Sequence, residues 1–126
     1  MVKQGQVYWY DFGDSDGSEP AFMRPAVVVQ NDVLNDTRIK TTMICAVTSN
    51  TSKKELFGYV ELPLDSGVLP KPSLVILTQI HTVNKAELDD LIGSLNDELI
   101  LKITNRLCEV TRPMSFEELS VWRQQN

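Results

Sequence analysis

A polar, turn-rich segment runs directly into an unbroken apolar strand between residues 17 and 31, and one arginine stands at the junction. Residues 14–18 are rich in Gly, Ser and Asp, which favour turns. Pro25 begins the strand, where a missing N–H is tolerated, and it biases Arg24 toward an extended backbone. The β-branched run 27–29 is typical of a strand buried on both faces. The stretch therefore predicts a fixed cation at the rim of a rigid sheet, although an ordinary surface arginine fits it equally well.

Short β-branched runs separated by polar breaks continue along the chain. Strands are predicted over residues 6–12, 25–30, 39–48, 58–62 and 73–80. Residues 31–37 are predicted to form a loop, because Asn and Asp fill four of the seven positions. A capping pattern predicts a helix start at 84–87, and residues 91–95 fit either a short strand or a helical turn.

Two helices are predicted at the C-terminal end. The first follows Asn96 as its cap and carries one apolar stripe formed by Leu99, Ile103, Leu107 and Val110. The second follows the capping-box pattern of residues 115–118, and we expect Phe116, Leu119 and Trp122 to dock on the barrel or on a partner subunit, because so short a helix is marginal alone in water. The predicted architecture is a compact antiparallel β-barrel of five to seven strands with C-terminal helices.

Composition limits the class of protein. A chain of 126 residues suits one domain, and at 42% hydrophobic and 23% charged it is an ordinary globular chain. No apolar run approaches a membrane span and the first residues lack a signal peptide, so we expect a cytoplasmic protein without membrane association. One histidine and two distant cysteines form no metal motif, so we expect neither a bound metal nor a cofactor.

The charge distribution bears on nucleic-acid binding. The net charge of −5 argues mildly against it. However, residues 38–54 contain four basic side chains and no acid, and such a patch attracts phosphate. A solvated sheet edge that carries lysines against aggregation would give the same pattern.

Three sequence blocks carry a resemblance to a known family. They are G-x-V-x-W-x-D-F at residues 5–12, G-S-E-x-x-x-x-R-P-A-V-V at 17–28, and S-L-V-I-L-x-Q-I-x-T-V at 73–83. Over residues 3–110 the chain resembles the MazF/PemK/Kid family of toxin endoribonucleases. The resemblance implies a mostly β fold with C-terminal helices, namely a small SH3-like barrel of the MazF/CcdB type. Residues 1–112 would form this barrel domain, and residues 113–126 would be a short helical extension beyond the usual family end.

The resemblance also implies an activity and partners. These are sequence-specific, metal-independent cleavage of single-stranded RNA, a homodimer, and a cognate antitoxin whose disordered segment covers the RNA-binding groove. Attack by the RNA 2′-hydroxyl gathers negative charge on the phosphoryl oxygens, where a preorganised arginine is most effective. Arg24 matches the family's catalytic arginine, and Thr48 matches its hydroxyl residue. Glu19 matches a loop glutamate that is a candidate base or base-orienting group. A strand-end threonine without a catalytic role is the alternative for Thr48.

Substrate contacts are expected from a wider set of side chains: Ser18, Ser49, Lys53, Lys54, Gln79 and His81. The chain departs from some relatives at Thr78, where they carry an acid, and at His81, where they often carry a basic residue, so we expect an altered RNA sequence preference. The sequence leaves three roles open for His81: a contact to phosphate, a proton shuttle, or a partly buried histidine with satisfied hydrogen bonds.

Two other functions fit the same barrel. One is a protein-directed poison of the CcdB type, in which the C-terminal helix would carry the activity and Arg24 would be dispensable. The other is a catalytically inactive binding module. Only the ribonuclease requires the combination of Glu19, Arg24 and Thr48, because function is determined by the site and not by the fold.

Overall fold

The computed structural model describes residues 1–13 and 22–126, and within them it contains six strands and three α-helices. The strands are β1 (Gln6–Asp11), β2 (Met23–Val28), β3 (Thr41–Thr48), β4 (Tyr59–Leu62), β5 (Ser73–Asn84) and β6 (Leu91–Ser94). The helices are α1 (Asp32–Asn35), α2 (Asp97–Thr111) and α3 (Phe116–Gln125). The prediction of a mostly β fold followed by C-terminal helices is confirmed.

All six strands form one antiparallel sheet in the order β4-β5-β3-β2-β1-β6. Val7 of β1 and Val60 of β4 lie near opposite edges of the sheet, yet they belong to one buried cluster. The sheet is therefore curled. Ile103 of α2 belongs to the same cluster, so the amphipathic stripe of α2 closes the concave side. Burying side chains of this size stabilises the fold by roughly 1.5–3 kcal/mol each.

The convex face of the sheet carries a second, smaller core. Ala26, Val28, Ile44 and Val83 are buried there, and Tyr8 and Tyr10 pack against them. The alternate residues Val27 and Val29 belong to the concave core. The second half of β2 is therefore buried on both faces, as its continuous β-branched run predicts.

Several predicted boundaries are wrong. Strand β2 runs over Met23–Val28 and not over 25–30, so Arg24 lies within the strand. Strand β5 does not end at residue 80 but continues to Asn84, because its second half pairs with the first half of β3 beyond a register shift. The helix predicted from the cap pattern at Asn84 is only a single 3₁₀ turn, Lys85–Glu87, although the Glu87 carboxylate accepts a hydrogen bond from the Asn84 N–H at 3.2 Å. Capping thus ends the strand here without starting a long helix.

The segment predicted as a loop at 31–37 contains the short helix α1, which is capped by the Asn31 side chain. The helix carries the buried Asn35 amide into a polar network. Its Oδ1 accepts hydrogen bonds from Gln30 Nε2 at 2.9 Å and Thr42 Oγ1 at 2.8 Å, and its Nδ2 donates to the Gln30 carbonyl and to Asp32 Oδ1. All four hydrogen-bonding positions of this amide are used. We call Gln30, Asp32, Asn35 and Thr42 the Asn35 network.

Helix α3 has no buried residue, and Phe116 and Trp122 are 87% and 51% exposed. The prediction that it docks on its own barrel is therefore wrong, and docking on a partner subunit stays a prediction. Arg112 fixes the junction with α2 by pairing with Glu118 at 2.9 Å and Glu109 at 3.2 Å. Its capping box and the ion pairs of Arg112 hold α3 without a buried face.

Candidate active site

Arg24 lies at the start of β2, opposite Tyr10 of β1. Its guanidinium carbon lies 5.4 Å from the centre of the Phe22 ring, a distance suited to a cation–π contact. Within residues 1–13 and 22–126, no hydrogen bond or carboxylate engages the guanidinium. In the described part of the chain, Arg24 is thus a cation on a fixed strand with its donors available.

Thr48 ends β3, the neighbour of β2 in the sheet, so the end of one strand lies beside the start of the other. The Thr48 Oγ1 accepts a hydrogen bond from the Asn50 N–H at 3.2 Å. This contact fixes the turn and leaves the hydroxyl proton available for donation. Ser49 follows directly and is exposed.

A cavity of about 550 Å³ joins these residues, and we call it the Arg24 cavity. Arg24, Thr48 and Ser49 line it together with apolar side chains that include Trp9, Leu69 and Ile92. Lys71 and Ser73 complete the polar part of the wall. Among the described residues the lining contains two cations and no acid, so this part of the wall is electropositive.

Lys71, Ser73 and Trp9 were not predicted as site residues. Lys71 lies between two prolines in a stretch that reads only as a turn, and Ser73 and Trp9 read only as strand residues. The signal that could have identified Lys71 is its isolated positive charge beside a strand that carries the family resemblance. Trp9 offered a weaker signal, since a strand aromatic is usually a core residue.

The remaining predicted residues that the structure describes lie outside the Arg24 cavity. Lys54 lines a separate cleft with Glu61 and Arg106, where charges of both signs are present. Lys53 and Gln79 are exposed and line neither of these two cavities.

His81 belongs to the convex face of the sheet. It is exposed, and its ring lies 5.3 Å from that of Phe12, which in turn lies 4.8 Å from the ring of Tyr10. Because Tyr10 is the cross-strand neighbour of Arg24, a short aromatic row connects His81 to the arginine. Ser18 and Glu19 lie outside the described residues.

Neither a membrane helix nor a metal cluster is found in the parts of the chain that the structure covers. No helix there is long and apolar enough to cross a membrane. The same residues contain no group of three or more His, Cys, Asp or Glu side chains placed to hold a metal ion.

Comparison with known proteins adds sequence relatives. The family described as "PemK-like, MazF-like toxin of type II toxin-antitoxin system" matches residues 3–111. Endoribonuclease MazF6 of Mycobacterium tuberculosis is 36% identical over 110 residues, covering 87% of this chain and 96% of the relative. Endoribonuclease EndoA of Bacillus subtilis is 35% identical over 107 residues, covering 85% of this chain and 91% of the relative.

Solved structures show the same fold at lower sequence identity. A mycobacterial endoribonuclease in complex with its cognate antitoxin superposes with a TM-score of 0.72 at 22% identity, covering 91% of this chain and all of that one. A MazE–MazF structure from Deinococcus radiodurans gives 0.69 at 19% identity, covering 86% and 94%. The match over residues 3–111 and the identities above 30% over most of both chains establish the family, and the chain belongs to the PemK-like, MazF-like toxins of type II toxin–antitoxin systems.

Proposed function

We propose that this protein is the toxin of a toxin–antitoxin pair and acts as a sequence-specific endoribonuclease on single-stranded RNA. The observation that carries the proposal is that Arg24 and Thr48, on neighbouring strands, line the same cavity. Family membership and relatives named as endoribonucleases support it. The cytoplasm, where RNA substrates are present, is the proposed location.

In the proposed reaction the 2′-oxygen of the ribose attacks the adjacent phosphorus. A 2′,3′-cyclic phosphate forms, the bond from phosphorus to the 5′-oxygen breaks, and that oxygen leaves as a hydroxyl after taking a proton. Negative charge develops on the phosphoryl oxygens, and the Arg24 guanidinium offers paired donors that match them. The Thr48 hydroxyl donates a hydrogen bond to the same phosphate.

Proton transfer needs a base for the 2′-hydroxyl and an acid for the leaving oxygen. We assign the base to Glu19 on the family resemblance, and we assign to Arg24 a share in protonating the 5′-oxygen. We assign most of the acceleration to stabilisation of the developing charge by Arg24.

Further side chains would bind the RNA without taking part in the chemistry. Ser18, Ser49, Gln79 and His81 are proposed to contact bases or phosphates along the strand, and Lys53 with Lys54 to add electrostatic affinity. Because Lys54 shares its cleft with Glu61, we expect the lysine pair to contribute little. Replacing both lysines with alanine should flatten the salt dependence of RNA binding slightly.

Two protein partners belong to the proposal. One is an antitoxin, and the titles of the mycobacterial and Deinococcus structures support it by describing toxin–antitoxin complexes. The other is a second copy of this chain, because one small barrel offers a short groove for an extended strand. Light scattering should give about twice the 14.2 kDa mass of the chain, and a monomer at micromolar concentration would contradict the dimer.

The test of the proposed reaction uses purified protein, a long RNA and EDTA. We expect cuts at one short sequence, with 2′,3′-cyclic phosphate or 3′-phosphate ends on one side and 5′-hydroxyl ends on the other. A matched oligonucleotide with a single 2′-deoxy sugar at the cut site should bind and stay intact. Cleavage of this oligonucleotide would rule out 2′-hydroxyl attack, and toxicity without any RNA cleavage would favour a protein target.

A further inference from the structure

The Arg24 cavity has more apolar wall than a phosphate requires. A phosphate is bound by the cations and hydroxyls at the rim, whereas Trp9, Leu69 and Ile92 offer it no hydrogen-bond donor from their side chains. The volume of about 550 Å³ lies within the range of about 300–1,000 Å³ that is typical of sites for small organic groups. The cavity therefore has room for a group attached to the phosphate.

Trp9 is held in a fixed position at this wall. Its N–H donates to the Asp90 carbonyl at 3.2 Å, and its carbonyl accepts from the Asp89 N–H at 2.9 Å. The backbone is thus bonded on the side of β6, while the side chain remains 40% exposed. A large aromatic side chain that is fixed at its base and half open is a suitable stacking platform.

Lys71 is placed by its own turn. Pro70 and Pro72 flank it, and its carbonyl accepts a hydrogen bond from Ser73 Oγ at 3.0 Å at the start of β5. Lys71 forms no ion pair with another residue in the described ranges. The lining of the cavity therefore contains a second cation besides Arg24.

We propose that the Arg24 cavity receives one unstacked nucleobase next to the scissile phosphate, with Trp9 as its stacking platform and Lys71 as the contact to the neighbouring phosphate. This inference rests on the proposed ribonuclease function and adds the element that selects the base. Single-stranded RNA is commonly bound by aromatic stacking of a splayed base, with hydrogen bonds to the edge of that base.

The polar groups of the cavity favour a base over the main competing occupant, an apolar side chain of an acidic peptide. Thr48 and Ser49 are hydroxyl-bearing residues of the lining, whereas the Ser73 hydroxyl already donates to the Lys71 carbonyl. A nucleobase presents donors and acceptors on its edge that match hydroxyls, whereas an aliphatic side chain would leave them without partners, at a cost for each group that is buried. Both cations, by contrast, would suit either occupant.

The experiment uses the full chain and a short RNA that contains the mapped cut site, protected by a 2′-deoxy sugar at that site. A series of probes lacks one base at a time. We expect one abasic position to weaken binding by about 5- to 150-fold, the range for loss of one stacked base. In Trp9→Leu this loss should nearly disappear, while Trp9→Phe should keep most of it. Trp122→Leu is the matched control because it changes the other tryptophan, which lies outside the cavity.

Fluorescence gives a second readout that does not depend on cleavage. In a Trp122→Phe background Trp9 is the only tryptophan, and the intact probe should quench its emission, while the probe abasic at the critical position should not. Lys71→Gln should lower the slope of log affinity against log salt by about 0.7, the value for one phosphate contact on a single strand, with Lys3→Gln as the control.

The outcomes separate the two proposals. If the unaltered protein cuts no RNA, the ribonuclease function fails and the nucleobase pocket fails with it. If it cuts RNA but no abasic position couples to Trp9, the pocket alone is overturned. Binding of the intact probe without any change in Trp9 emission would also overturn it. An apolar peptide that competes with the probe in wild type but not in Trp9→Leu would, together with uncoupled abasic probes, assign the cavity to a polypeptide.

Discussion

The two ends of the β2–β3 strand pair use polar side chains in opposite ways. At one end, Gln30 and Thr42 are buried in the Asn35 network, where every position of the central amide is engaged. At the other end, Arg24 and Thr48 line the open Arg24 cavity. The same two antiparallel strands therefore carry a set of polar groups that bind one another and a set that is available to a ligand. The first set should determine stability, and the second should determine activity.

The strongest test of this division is Arg24→Ala. Loss of a preorganised donor to the transition state should raise the barrier by about 2.7–4 kcal/mol, or roughly 10²- to 10³-fold in cleavage rate. The melting temperature should stay the same, because the described residues give the guanidinium no hydrogen bond. Arg24→Lys should recover only part of the rate, since lysine offers a point charge and not a fork. Arg123→Ala, in exposed α3, is the control, and equal rates in all variants would remove Arg24 from the site.

The converse substitution is Asn35→Ala at the other end. It leaves Gln30 and Thr42 buried without their partner, and each unsatisfied group costs about 1–3 kcal/mol. We expect the free energy of unfolding in urea to fall by about 2–4 kcal/mol, with cleavage per folded molecule unchanged. Asn105→Ala on the exposed side of α2 should be neutral. A selective loss of cleavage in Asn35→Ala would show that the two ends are coupled.

A smaller effect is expected at Thr48, which contributes to both the turn and the site. Thr48→Val removes the hydroxyl and keeps the shape of the side chain. The barrier to cleavage should therefore rise by about 1.5–3 kcal/mol, the value of one hydrogen bond to a charged group. Thr48→Ser keeps the hydroxyl that accepts from the Asn50 N–H and should stay close to wild type. If Val and Ser variants cleave equally well, the hydroxyl has no part in the reaction.

The pH dependence of stability should depend on Asp32, the carboxylate of the Asn35 network. Burial raises the pKa of Asp32, but the Gln4 N–H, the Asn35 amide and the charge of Lys3 outweigh it and lower that pKa below its ordinary value. A lowered carboxylate pKa stabilises the fold above the unfolded value of ~3.9, and this contribution is lost as pH falls through the folded pKa. Asp32→Asn should therefore melt below wild type at neutral pH and approach it in acid. A constant gap across pH would contradict this assignment.

The smallest effect is expected from deleting residues 113–126. Because α3 buries no side chain, the free energy of unfolding should change by less than about 0.5 kcal/mol, and cleavage should persist. Differential scanning calorimetry at two protein concentrations provides the measurement. A large, concentration-dependent fall in melting temperature would instead place α3 on a partner subunit.

Sequence patterns predicted those strands and helices that neighbouring residues alone determine. The β-branched run of β2 and the apolar stripe of α2 are periodic signals. Helix α2 begins directly after its predicted cap, and β2 overlaps the predicted strand 25–30 although it runs from Met23 to Val28. The second half of β5 was missed because its polar, exposed residues resemble a strand end; pairing with β3, distant in sequence, extends it. Helix α1 was missed because Asn and Asp favour loops, and the buried partners of Asn35 are not visible in a linear sequence.

The candidate site likewise has residues that the sequence predicted and residues that it did not. Arg24 and Thr48 follow from the family resemblance, and the structure shows that both line one cavity. Trp9 reaches that cavity because β1 pairs with β2, where Pro25 is its cross-strand partner, and Lys71 reaches it from the proline-flanked turn before β5. Their contribution depends on contacts between segments more than 60 positions apart, which no local pattern encodes. Conversely, the basic stretch at 38–54 does not converge on the cavity, since Lys54 lines a different cleft.

Cys45 lies in β3 between the two ends, with its side chain fully buried in the concave core. Burial raises the pKa of its thiol to about 12, so an alkylating reagent can modify it only when β3 separates from its neighbours. Exposed Cys108 reacts from the native state and serves as an internal standard in the same molecule. The ratio of the two labelling rates thus measures how often β3, which runs from the Asn35 network to the Arg24 cavity, detaches from the sheet. Bound RNA or antitoxin should slow that opening.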